Sequence, residues 1–154
     1  MNIFYLSSNP VQCAQWHNDK HVVKMILEYA QLMSTAHHLT GSGHDGMYKC
    51  THQNHPSAVW VRENIHHYAY VFGLWSALLD EYRSRYGKHH KTGMLYDDLY
   101  EIPALPNVDF KAPPQCMPEE YKRDDTVLAY RLYYKHGKAS ILQYCKNRPK
   151  WLGL

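Results

Sequence analysis

The sequence predicts an all-α fold, and three observations carry the prediction. Apolar residues recur at steps of three and four through two long stretches, one running from Pro10 towards Leu39 and one from about Ser57 to Tyr86. Helix ends are marked by Asn9-Pro10, Pro56, Gly87 and Asp125, residues whose side chains or restricted φ suit such positions. No pair of alternating runs makes a convincing pair of strands. The expected architecture is one compact domain over residues 1–154, built from three main helices joined by long irregular connections.

The elements follow in order. Residues 2–6, NIFYL, form an apolar run suited to an extended arm or a brief strand. Asn9 caps the first helical region, Pro10 occupies its first position, a bend is expected near Asn18-Asp19, and Gly41 and Gly43 stop it. The stretch TGSGHDGMYKCTHQN reads as a loop. Pro56 opens the second helix, where Val61, Ile65, Tyr68, Phe72, Trp75 and Leu79 keep helical spacing and make a core stripe, and Gly87 closes it. Trp60, Tyr68 and Trp75 are expected in the core. A shorter helix is expected over Met94 to Glu101, followed by the proline-rich IPALPNVDFKAPPQCMPEE, a loop wrapping the surface. Asp125 caps a last helix over TVLAYRLYYKHGKASILQYC, which Gly137 weakens, and a basic tail, KNRPKWLGL, ends the chain.

Composition narrows the functional classes. The net charge of +3 does not by itself announce a polyanion partner, yet 12 histidines and 14 tyrosines are residues able to bond phosphate and stack on bases. No basic, apolar leader is apparent at the start and no segment approaches a membrane span, so a cytoplasmic, membrane-free protein is expected. Cys13, Cys50, Cys116 and Cys145 are far apart and lack a C-x-x-C pair, which fits reduced thiols.

The first helix carries a polar stripe: His17, His21, Lys24, Glu28, Gln31, Thr35 and His38 succeed one another at alternating steps of four and three. Val22, Val23, Ile26, Leu27, Ala30 and Met33 supply the facing core positions. The stripe reads either as a plain solvated face or as a site, and its use of His, Gln and Thr where Lys and Glu would favour a helix points to chemistry. His17 and His21 have the i, i+4 spacing of helical zinc ligands, but Asn18 stands where such sites carry glutamate and no third ligand is evident, so no metal is assigned. The other candidate is amine chemistry. An α-amino group is a better base-form nucleophile at neutral pH than a lysine, and a carboxylate beside it stabilises developing positive charge on a sugar carbon.

At these residues the chain resembles the pyrimidine dimer DNA glycosylases, the endonuclease V family of phage and bacterial repair enzymes. The resemblance covers the N-terminal arm, DKHVVKMILE, the loop ending THQNHP, and the long helix ending YRSRYG; Asp19, His21 and Glu28 reproduce the family's spacing before its catalytic glutamate. YYKHGKA and NRPKW are similar to C-terminal family elements, in reversed order. The resemblance implies a compact, mainly helical domain that flips a nucleotide out of duplex DNA and attacks C1′ with its N-terminal amine, forming an imine before β-elimination. Its residue-by-residue implication is a catalytic set of the Met1 or Asn2 amine and Glu28, with His21 and Lys24 tuning the carboxylate and no cofactor. Leu27 and Gln31 stand where the family has arginines, so DNA contacts are expected instead from His17, Lys20, His55, Arg62, Lys138, Lys150 and Trp151. His55-Pro56 equally suits a simple helix start. Alternatives are a non-catalytic DNA-binding or host-interaction module, and a metal-dependent hydrolase built on His17 and His21. The family implies host cytoplasm for a phage-encoded member; oligomeric state is left open.

Overall fold

Apolar periodicity becomes helix wherever a cap and a partner surface coincide, and a computed structural model describes the result for residues 1–153. The chain is all-α: helices α1 (Pro10–Trp16), α2 (Asp19–Leu39), α3 (Pro56–Val61), α4 (Ile65–Tyr86), α5 (Tyr96–Tyr100) and α6 (Thr126–Leu132) are joined by short 3₁₀ turns and irregular chain, with no strand among the described residues. Asn9 caps α1 as expected, its side chain accepting from the N–H groups of Val11 and Gln12. The expected bend is a full break: His17 is extended, and Asn18 starts α2 afresh by accepting from the His21 N–H at 2.9 Å.

The second predicted helix is also two. α3 ends at Arg62, and Asn64 caps α4 through the His67 N–H at 2.9 Å. Gly87, at φ 68°, closes α4 in the left-handed conformation that glycine adopts without steric cost. The expected Met94 to Glu101 helix is a 3₁₀ turn, Lys91–Leu95, running into α5. Asp125 caps α6, but the helix stops at Leu132, far short of Cys145, and passes into one π turn, Tyr133–Gly137. At Gly137 a Cβ would stand 2.4 Å from Cδ1 of Tyr133, so the tight turn requires glycine there.

The antiparallel pair α2 and α4 forms the centre, with α1 on α4 and α3 on α2. Trp75 joins them, its Nε1–H donating to the Ile26 carbonyl at 3.0 Å. Trp60, Tyr68 and Trp75 are core residues as expected. The run Ile3–Leu6 is an extended arm and not a strand, buried throughout. Its backbone groups are satisfied by side chains: the Phe4 N–H by the Tyr29 hydroxyl, the Phe4 carbonyl by the Cys13 thiol, and the Leu6 carbonyl by Nε of Arg131. The proline-rich passage wraps the surface, pinned where Trp60 Nε1 donates to the Lys111 carbonyl and where Ile65 N donates to the Pro106 carbonyl. No helix among the described residues is long and apolar enough to cross a membrane.

The stripe on α2 divides. His17 and His21 are buried against the arm and Tyr134, and Thr35 against the loop before α3, while Lys24 is exposed. The predicted core positions divide too: Val22, Ile26, Ala30 and Met33 are buried, whereas Val23 and Leu27 are 41% and 37% exposed.

Candidate active site

His21, Lys24 and Glu28 share one face of α2 because they lie three and then four residues apart. Glu28 has a side chain 17% exposed, and its Oε2 is buried with no hydrogen-bond partner. The nearest cation is Lys24 Nζ at 3.6 Å, on a side chain 72% exposed. So open an ion pair contributes little to stability, and a carboxylate oxygen kept from water without a donor carries a free-energy cost that a ligand would relieve.

His21 is held from both sides. Phe4 stacks on it with centroids 4.3 Å apart and planes at 25°. The Tyr134 hydroxyl accepts from the Asn18 N–H at 3.1 Å and shares a hydrogen bond of 2.7 Å with His21 Nδ1. Burial, then the charges of His17, Lys138 and Lys24, push its pKa down to about 2. Lys138 follows the π turn, its Nζ 5.9 Å from the Phe4 centroid and 5.2 Å from that of Tyr133. Phe4 and Tyr134 are the members of this cluster that sequence reasoning did not single out; Tyr134 reaches His21 across 113 residues, a separation for which no local signal exists.

His17 requires a correction. Expected at the DNA, it is wholly buried, with Nδ1 2.7 Å from the Cys13 carbonyl and Nε2 3.0 Å from the Tyr29 hydroxyl. The Cys13 carbonyl can only accept, so Nδ1–H donates to it and the neutral ring's Nε2 accepts from the Tyr29 hydroxyl, which in turn accepts from the Phe4 N–H. Burial dominates in lowering its pKa to about 4, against the raising effect of the Cys13 carbonyl. With both nitrogens occupied, His17 cannot act as a metal ligand without dismantling the arm. No group of three or more His, Cys, Asp or Glu able to hold a metal occurs among the described residues.

The two histidines make stability depend on pH. Each is neutral in the folded chain and has a folded pKa below the unfolded value near 6.5, so the unfolded chain takes up the protons first as pH falls. Stability is retained above pH 6.5 and lost progressively below it, until about pH 4 for His17 and about pH 2 for His21. Urea unfolding should show it about 1 to 2 kcal/mol lower at pH 6 than at pH 7, with the slope steepening below. A flat profile across that interval contradicts the neutral assignment.

The start of the chain lies in a second polar cluster. Asn2 Nδ2 donates to the Cys116 carbonyl at 2.8 Å, the Cys116 thiol lies 3.9 Å from Ser57 Oγ, and Ser57 N–H donates to His55 Nδ1 at 3.1 Å. His55 is thus the cap of α3, as its helix-start reading expected. Its pKa is lowered, first by burial, then by the charge of the Met1 amine and by His52.

The remaining candidates are dispersed. Arg62 is the C-cap of α3, with Nη1 buried and without a partner. Lys20 is exposed beside Val23, Lys24 and Tyr86. Lys150 is exposed, but Trp151 packs edge-on against Trp16, with the Arg131 guanidinium 5.0 and 5.3 Å from the two ring centroids. That arrangement fastens the tail to the end of α1. No protein-family model, curated protein or solved structure matches this chain.

Proposed function

We propose that this protein is a DNA glycosylase with lyase activity that acts on a damaged or modified base through its N-terminal amine and Glu28. The observation that carries the reading is the buried, unpartnered Oε2 of Glu28, on the helix face next to which the N-terminal arm is anchored. Met1 stands three residue steps before Phe4, which is stacked on His21, and at full extension those steps span roughly 10 Å. The rise of α2 from His21 to Glu28 is also about 10 Å, so the arm is long enough to bring its amine level with the carboxylate.

In this reaction the amine nitrogen bonds to C1′ as the C1′–N bond to the base breaks, and the base leaves with the proton it needs for neutrality. Loss of the amine proton and opening of the sugar ring, with O4′ protonated, produce an imine. Removal of a C2′ proton then expels the 3′ phosphate by β-elimination, and water releases the amine. Glu28 stabilises the cationic sugar carbon and relays the proton to O4′. Lys24, its Nζ 3.6 Å from Oε2, orients the carboxylate, while Lys138 adds positive charge on the Phe4 side.

Duplexes carrying single damaged or modified bases test the reading. Base release and strand cleavage should appear together, leaving an unsaturated aldehyde at the 3′ end. Base release from strands that stay intact contradicts the imine route.

A further inference from the structure

Val23 and Leu27, expected in the core, face outward, and what surrounds them assigns this face a role. Val23 borders a hollow of about 410 Å³ lined also by Asp19, Lys20, Lys24 and Tyr86. The C-terminal end of α4 closes it: the Tyr86 hydroxyl donates to the Asp19 carbonyl at 3.2 Å, and Tyr82 packs against both Tyr86 and His90. Gly87 then turns the chain so that Lys88, His89, His90 and Lys91 run past this edge, and the turn Lys91–Leu95 packs on α2. The His90 ring faces the backbone of Val23.

Lys20, Lys24, Lys88 and Lys91 are all exposed, and the only ion pair any of them makes among the described residues is the long one from Lys24 to Glu28. The acid in the hollow, Asp19, is already engaged by Arg85 and by the Cys145 N–H. An apolar floor flanked by exposed lysines suits a polyanion with sugar surface between its charges. Four exposed lysines outnumber the apolar side chains between them, so the surface suits a phosphodiester strand more than the broad apolar wedge that inserts into lipid.

We propose that the surface formed by Lys20, Lys24, Lys88 and Lys91 around Val23 and Tyr86 is a docking face for the backbone of duplex DNA. It rests on the glycosylase reading, extending the footprint from the Glu28 face of α2 across to the segment after α4, where sequence reasoning placed no contact. The lysines hold the duplex in register while the Glu28 side meets the target nucleotide.

The test is fluorescence anisotropy of the full chain with an undamaged, labelled duplex over a range of salt concentrations, comparing the wild type with the Lys88→Gln/Lys91→Gln double variant. Each phosphate contact contributes about 0.9 to the slope of log K against log salt, so the double variant should bind about tenfold more weakly at low salt with a slope shallower by about 2. Lys88→Arg/Lys91→Arg should restore both, and thermal unfolding of all three should coincide. Wild-type binding that the double glutamine variant leaves unchanged overturns the docking face while the Glu28 reading stands. A wild type that binds no duplex overturns both. Binding to phosphatidylserine vesicles without duplex binding, lost in the double variant, overturns the proposal by reassigning the face to lipid.

Discussion

Arg85→Met is expected to destabilise the protein by about 3 to 5 kcal/mol, a large part of the stability of an ordinary domain. The Arg85 side chain is 0% exposed, and its guanidinium is engaged on every side. Nε donates to Glu81 at 2.9 Å, Nη1 to the His17 carbonyl at 2.8 Å and to Asp19 at 3.0 Å, and Nη2 to the Gln15 carbonyl at 2.8 Å. Apart from Glu81, one turn earlier on α4, these acceptors lie at the break between α1 and α2, so one side chain from α4 satisfies carbonyls freed by that break. The carboxylates in turn hold the tail, Asp19 through the Cys145 N–H and Glu81 through Asn147 Nδ2. Methionine would fill much of the volume but leave the Glu81 carboxylate buried without its cation. Arg85→Lys should recover little, because an ammonium cannot reproduce the fork. Urea unfolding measures both variants, and a loss under about 1 kcal/mol for Arg85→Met would mean that water replaces the arginine at little cost.

Glu28→Gln is expected to lower turnover on a reactive duplex by about 10²- to 10⁴-fold, the usual contribution of a positioned proton-transfer group. The substitution preserves shape and removes the charge that would stabilise the sugar cation. It also relieves the burial of an unpartnered carboxylate oxygen, so the variant should unfold at the same urea concentration as the wild type or a slightly higher one. Duplex affinity should be retained, since the proposed docking face puts the phosphate contacts on Lys20, Lys24, Lys88 and Lys91 and none on Glu28. Turnover within threefold of wild type would remove Glu28 from the chemistry and favour a non-catalytic module.

Much of the helical skeleton was legible because caps are local. Asn9-Pro10, Pro56, Gly87 and Asp125 act within their own turn of chain, and all mark real helix ends. The break between α3 and α4 was missed because apolar spacing runs across it, and the Asn64 cap sits inside that spacing. The last helix was overextended because residues after Leu132 keep helical composition while their contacts are tertiary, with Tyr134 bonded to His21 and Tyr144 to the Trp16 carbonyl.

The site was legible as a spacing and not as an environment. His21, Lys24 and Glu28 share a face as their numbering requires, but nothing local shows that the arm covers His17 or that Phe4 stacks on His21. The aspartate in the family-like spacing, Asp19, proves to be an anchor for Arg85 and the tail. Val23 and Leu27 were assigned inward because aliphatic residues usually are, and charge on neighbouring elements is what gives their exposure meaning.

The most direct test of the account is borohydride trapping of the protein, bearing its native N-terminus, on a duplex with one abasic site. That substrate offers an aldehyde without requiring the right base, so it isolates the amine step. The account predicts a covalent adduct in which the sugar is joined to the first residue, abolished when the N-terminal amine is blocked and the lysines are left free. A folded protein that binds the duplex yet forms no adduct, or an adduct that survives the block, would contradict an N-terminal nucleophile.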